Sequence, residues 1–256
     1  MIVRKYNIDL CKGTGLIQES LLLFEVYVNG MPKNELTENS IKSNLLVKAS
    51  NKRIKDIVEV AFYKRYIHDN PKVPLYLNEL ISHHVSLDVL TQLFFIYTSR
   101  ANLILMDFVT MVYWPQVQKG VLEFNSTFSR KFVAETIRYT DYINGWSDNT
   151  QKRVSSYLIS TIVDFKLLDK QRKVKPVFVY DLTANYLAHE LHFNGLSDMG
   201  IVNSEEWKLF GYSNFDTVKH LERLSFQGNF ILQNSGEIIK IDWKYKTMEE
   251  LLNGLK

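Results

Sequence analysis

Four short runs in this sequence set chemically capable side chains close together, and none completes a catalytic set. His189-Glu190-Leu191-His192 places two imidazoles at i and i+3 of a helical stretch, a spacing able to share a metal ion. It is not His-Glu-x-x-His and no third ligand follows by spacing, so no metal is expected. His83 and His84 are adjacent and would diverge from a helix, which fits a loop end. Lys12-Gly13-Thr14-Gly15 superficially resembles a phosphate-cradling turn, but the Gly-x-x-x-x-Gly-Lys-Ser/Thr spacing is missing and no strand precedes it. Its glycines are expected to permit a tight turn into the next helix. Cys11 has no identifiable histidine base, and neither a Gly-x-Ser-x-Gly elbow nor a nuclease carboxylate motif is present. The chain is expected to be no enzyme and to carry no cofactor.

The cations form a clearer pattern. Asn44 to Arg53 joins two apolar helical stretches through a basic turn in which Ser50 is placed to cap the second helix. Lys52 and Arg53 then fall in that helix's first turn, with Lys48 just upstream. Cations have the wrong sign for the positive end of a helix dipole, so these fit contact with an anion, contact with a carboxylate elsewhere in the fold, or a solvated helix start. Lys152 and Arg153 repeat the arrangement behind Trp146 and Ser147. Lys170, Arg172, Lys173 and Lys175 crowd one turn, and Lys240, Lys244 and Lys246 lie on or just after a C-terminal hairpin. Lys219 and Arg223, with His220, sit on the helix before that hairpin, diluted by Asp216 and Glu222. Lysine and arginine on one face are what phosphate contact requires. The mixed charge on the helix argues against base-specific reading. Duplex DNA bound with little sequence preference is the expected ligand for these fourteen residues.

The elements that must position them follow from patterning. The chain has 256 residues, 46% hydrophobic and 23% charged, enough for one large or two small domains. Its net charge of +3 gives no global polycationic character, so any nucleic-acid face must be local. One cysteine excludes an internal disulfide and fits a reducing, cytoplasmic setting, and charges at Arg4, Lys5 and Asp9 argue against a signal peptide. The apolar stretch from Leu87 to Trp114 contains Asp88, Arg100 and Asp107, which points to a buried core helix or helix pair and no membrane span. Arg100 and Asp107 are expected to form structural pairs.

Residues 1–125 read as a helical bundle, with helices over 16–28, 33–43, 50–67, 75–82 and 87–113. Residues 126–256 read as α+β. Helices over 128–142 and 147–168 precede a β-branched run at 174–180 that predicts a strand. Asp181 would cap the next helix, which ends near Gly195. A short helix around 204–210 and another over 215–226 follow, then a hairpin of Phe230–Gln233 and Glu237–Trp243 about Asn234-Ser235-Gly236, and a last helix over 248–253. Helix, strand, helix, helix, hairpin is the order of a winged helix-turn-helix, a fold used both for binding DNA and for docking protein.

Four stretches in order, Leu10 to Ser20, Asn44 to Arg53, Ser99 to Phe108 and Gly145 to Arg153, resemble the BrxA family of BREX bacteriophage-exclusion systems. The resemblance covers roughly residues 6–168 well and the remainder in outline. It implies a mainly α fold, with an N-terminal domain like the NusB antitermination bundle before the winged-helix-like domain. It also implies other BREX proteins as partners, including methyltransferase and ATPase-like components. The expected function is a non-catalytic DNA-binding component of such a system. A protein-docking scaffold and an RNA-binding factor stand as alternatives, and oligomeric state is left open.

Overall fold

The computed structural model describes residues 4–47, 49–138, 145–236 and 238–254. The fold is mainly helical, with one two-stranded antiparallel sheet among the described residues. The chain divides into two compact units, each drawn from two stretches of sequence. Unit 1 comprises residues 1–78 and 94–176, and unit 2 comprises 79–93 and 177–256. Residues 126–176, grouped by sequence order with the C-terminal half, lie in unit 1.

In unit 1 a 3₁₀ turn, Asp9–Lys12, precedes α1 (Ile17–Val26) and α2 (Lys33–Lys42). Next come α3 (Asn51–Lys55), a π-helical stretch Asp56–Phe62 and α4 (Tyr63–Tyr66), which together fill the helix expected over 50–67. Helices α5 (Val73–Ser82) and α6 (Leu87–Ala101) contribute residues to both units. Then follow α7 (Leu103–Phe108), a second π-helical stretch Val109–Tyr113, α8 (Trp114–Gln118), α9 (Ser126–Arg138) and α10 (Asp148–Asp164). Ser50 and Ser147 cap α3 and α10 as expected, accepting from Arg53 N and Thr150 N. The helix expected over 128–142 ends at Arg138, and residues 139–144 lie outside the described residues.

The core of unit 1 is aromatic. Phe24 lies 4.8 Å from Phe62 and 5.1 Å from Tyr66, and Tyr66 lies 5.4 Å from Phe94, ring centre to ring centre. The long apolar stretch bends by 110° between α6 and the run from α7 to α8. Asn102 occupies the break and donates its side-chain amide to Thr98 O at 2.8 Å. Phe94, Phe95, Ile104, Leu105 and Phe108 are all buried there, which makes this a core helix pair. Among the described residues, no single helix is long and apolar enough to cross a membrane. Asp107 pairs with Arg4 at 2.7 Å and accepts from Tyr6, while Arg100 lies over the Tyr97 ring.

Unit 2 is built on α11 (Asp181–Phe193), α12 (Asp198–Val202), α13 (Glu205–Lys208), α14 (Asn214–Ser225), the strands β1 (Phe230–Asn234) and β2 (Ile239–Trp243), and α15 (Met248–Asn253). The hairpin pairs Phe230 with Trp243, Leu232 with Ile241 and Asn234 with Ile239. Alternation sends Phe230, Ile239 and Ile241 inward and leaves Ile231, Gln233, Lys240 and Asp242 outward. Gly236, at φ +89°, supplies the left-handed step of the turn, and its N–H donates to Asn234 Oδ1 at 2.9 Å. A capping box of Ser213 and Asp216 fixes the start of α14.

The strand expected at 174–180 does not form. Pro176 removes a ladder donor, and the side-chain amide of Gln92 takes the place of a partner strand. It donates to Phe178 O at 2.7 Å and accepts from Tyr180 N at 3.1 Å. Nor does Asp181 cap α11. Tyr180 holds that position without a side-chain bond, and the Asp181 carboxylate is used elsewhere.

Candidate nucleic-acid interface

Two places in unit 1 and one in unit 2 gather the cations. The first is the loop from Asp9 to Gly15, onto which distant segments converge. Arg65, almost completely buried, donates to Gly13 O at 2.6 Å and to Gly15 O at 3.1 Å. Gly15 N donates to Asp164 Oδ2 at 2.8 Å, and a Cβ on Gly15 would fall 2.5 Å from the Asp164 Cβ. The glycine is therefore required by close approach to α10, as a structural turn into α1. Arg53 donates to Lys12 O, Lys12 Nζ sits 3.1 Å from both Asp56 oxygens, and Lys64 pairs with Asp9 at 2.7 Å. Burial pushes the Cys11 thiol pKa up, opposed by the positive charges of Arg153 and Lys12. Lys52, Lys55, Lys152 and Arg153 are exposed around the node. Four of its cations thus serve the fold: Arg65 and Arg53 spend donors on backbone carbonyls, and Lys12 and Lys64 on carboxylates.

The second place is the turn between Leu168 and Val174. Asp169 N donates to Lys173 O and Arg172 N to Asp169 O, both at 2.9 Å, while the Asp169 carboxylate accepts from Lys173 N at 2.9 Å. Outside this turn, Phe124 N donates to Arg172 O and Val174 N to Leu122 O, each at 2.9 Å. The turn is thereby tied on both flanks, by bridges between Leu168 and Val174 and between Glu123 and Lys173. Arg172 takes φ +66° at its apex. Lys170, Arg172, Lys173 and Lys175 are all exposed on this braced turn. Sequence order had set the four beside a strand of the second domain; the fold puts them in unit 1.

The third place is the hairpin and α14. Here Arg223 is bound to Asp181, which also accepts from Gln227 at 2.8 Å and lies 3.2 Å from His220 Nε2. The Arg223 hydrogen bonds bring the Asp181 carboxyl down to about 2. His220 is itself buried, with Nδ1 3.0 Å from the Tyr212 hydroxyl. Lys219 lies 4.5 Å over the Phe215 ring, Lys244 5.1 Å over that of Tyr245, and Lys240 3.8 Å from Asp242. Lys246 is exposed. Lys48 lies outside the described residues.

The histidine pair on α11 is structural. His189 is fully buried, and its Nδ1–H donates to Asn185 O at 2.8 Å. Its ring meets Trp243 at 4.6 Å and Phe230 at 5.8 Å, and His192 stacks on Trp243 at 4.4 Å. Among the described residues, no group of three His, Cys, Asp or Glu could hold a metal ion. Patterning missed Arg65 and Asp164 because their partners lie 50 and 149 residues away. Lys55 carried a readable signal, since it follows Lys52 by three residues on a helix and so shares its face.

Two of the four stretches that carried the family resemblance, Leu10 to Ser20 and Asn44 to Arg53, touch directly, and residues outside the four tie in the other two. Arg53 reaches Lys12, Gly15 meets Asp164 at the far end of the helix that Gly145 to Arg153 opens, Asn7 donates to Ala101 O at 2.9 Å, and Arg4 pairs with Asp107. No curated protein matches the sequence significantly. An uncharacterized protein from Magnetospirillum magneticum superposes with a TM-score of 0.62 at 14% identity, covering 81% of this chain and 98% of that one. At that identity the likeness is one of fold. The BrxA family model matches residues 4–190, most of the sequence, and the chain belongs to the BrxA family, components of BREX phage-defence systems.

Proposed function

We propose that this member of the BrxA family is a non-catalytic, cytoplasmic component that binds duplex DNA through basic faces with little sequence specificity, and that acts with other BREX proteins. The observation that carries the reading is the braced turn bearing Lys170, Arg172, Lys173 and Lys175. Four exposed cations held on an ordered backbone are pre-organised for successive phosphates. The proposed architecture is a NusB-like bundle for unit 1 and a winged-helix-like arrangement for unit 2, with α14 in the recognition-helix position and β1–β2 as wing. The succession of α11, α12, α13, α14 and hairpin supports it. Fluorescence anisotropy of a labelled 30-mer duplex tests the function. With about four phosphates neutralised, affinity falls roughly 100-fold between 50 and 200 mM salt. An absence of binding at 50 mM salt rejects the reading.

A second reading, a protein-docking subunit of the same system, is favoured by one observation. Phe215, Phe226, Ile231 and Ile238 are exposed in unit 2, where a reader of DNA would present polar groups. Apolar docking is far less salt-sensitive than phosphate binding, so the same titration separates the two. Single-stranded and A-form RNA competitors in that titration address the RNA-binding alternative.

A further inference from the structure

The formal charge of +3 conceals a separation of sign between the units. Unit 1 holds 24 Lys and Arg against 15 Asp and Glu, a formal +9, and unit 2 holds 7 against 13, a formal −6. A polyanion is drawn to the first and repelled by the second. Local geometry points the same way. In unit 2 four of the five cations that element order assigns to recognition helix and wing already have a partner, Arg223 in Asp181, Lys240 in Asp242, and Lys219 and Lys244 in aromatic faces, which leaves Lys246 exposed. Beside them Phe215 is 65% and Phe226 90% exposed, side chains that offer no hydrogen bond to a phosphate or a base edge. In unit 1, Lys170, Arg172, Lys173 and Lys175 are exposed without an ion-pair partner among the described residues, and the backbone beneath them is hydrogen-bonded on both flanks.

We infer that unit 1, and not the winged-helix-like unit 2, holds the duplex, with the Asp169–Lys175 turn as its chief phosphate contact. The inference rests on the duplex-binding reading and assigns it to one half of the chain. It reverses what element order suggests, because a wing and recognition helix in an acidic unit work against the field of their own fold.

The test uses two matched variants of the full-length chain, K170Q/R172Q/K173Q/K175Q in unit 1 and K219Q/K240Q/K244Q/K246Q in unit 2. Each removes four positive charges, so both change the net charge equally. Arg223 is spared because it braces Asp181. Binding of the labelled 30-mer duplex is titrated from 50 to 200 mM salt, with circular-dichroism melts of each variant. The unit 1 variant is expected to lose more than tenfold in affinity at 100 mM salt and to flatten the log–log slope by about one per lost contact. The unit 2 variant is expected to stay within about twofold of the unaltered chain. Because Arg172 sits at φ +66°, K170Q/K173Q/K175Q keeps it and carries the test should the fourfold change loosen the turn. Losses confined to the unit 2 variant, or equal in both, overturn the inference while leaving duplex binding standing. Failure of the unaltered chain to bind at 50 mM salt instead removes the duplex-binding reading itself, and the inference with it.

Discussion

Arg65 shows how one side chain can fix a loop that composition alone leaves undetermined. Burial lowers its pKa from that of an ordinary guanidinium, but the group stays charged and spends that charge on two backbone carbonyls, Gly13 O and Gly15 O. Those carbonyls belong to the turn that brings Gly15 against Asp164, so the arginine holds together the node that Lys12 and Arg53 also join. Charge-assisted hydrogen bonds from a buried group contribute more than neutral ones, and their removal leaves desolvated acceptors behind. Arg65→Met is expected to cost about 2–4 kcal/mol and to lower the thermal midpoint by roughly 5–15 °C. Arg65→Lys, with a single ammonium in place of the planar fork, should fall between the two. Calorimetric melts check both. A midpoint for Arg65→Met within about 2 °C of the unaltered chain would mean that the loop is held by its other bonds.

At the scale of elements, the packing of α11 under the hairpin makes a pH-dependent contact out of one of the two histidines whose i, i+3 spacing falls short of a metal motif. His189 is enclosed by Trp243 and Phe230, and burial pushes its pKa down to about 4. The ring is neutral in folded and unfolded states alike above pH 6.5. Between pH 6.5 and about 4 the unfolded chain takes up a proton that the folded chain refuses, so stability contributed by His189 is present above 6.5 and is lost as pH falls through that window. The whole effect is at most about 3 kcal/mol. Burial lowers the pKa of His192 and of His220 too, and both add in the same direction. Thermal melts at pH 7, 6 and 5 should show a falling midpoint that flattens in His189→Phe; an unchanged slope in that variant would assign the pH dependence elsewhere. The hairpin itself was legible, since apolar alternation on both sides of Asn234-Ser235-Gly236 sets its register, and so was α15. The strand over 174–180 was misread for a physical reason. Val174, Val177 and Val179 carry strand propensity, but propensity cannot reveal that Gln92, from a distant helix, satisfies the backbone with its side chain. The cap role of Asp181 failed similarly, because a carboxylate at a helix start met Arg223 from 42 residues away.

For the molecule as a whole, what sequence order concealed is the partition of charge. A net +3 averages over a chain whose segment 79–93 packs with residues 177–256, and only that assignment exposes a unit of +9 and a unit of −6. The cations themselves were readable, but their grouping was not, because the 170–175 turn is tied to Leu122 and Phe124 through backbone bonds that no side-chain pattern announces. Hydrogen exchange follows this partition without altering a residue. Amides of the braced turn already have partners, so ligand protection there should be an increment on slow exchange, whereas protection at the start of α10, where helix ends fray, should be large. With saturating duplex at low salt, peptides covering 166–175 and 147–156 are expected to exchange several-fold more slowly, and peptides covering 214–246 to be unchanged. Protection concentrated on α14 and the hairpin would place the phosphates on the acidic unit despite its field. Engaged cations such as Arg223 would then have to exchange carboxylate partners for phosphate on binding, and the Asp181 carboxyl, held at about 2 by that arginine, would return toward its ordinary range. That return would accompany loss of the Arg223 hydrogen bonds, which hold the carboxyl down.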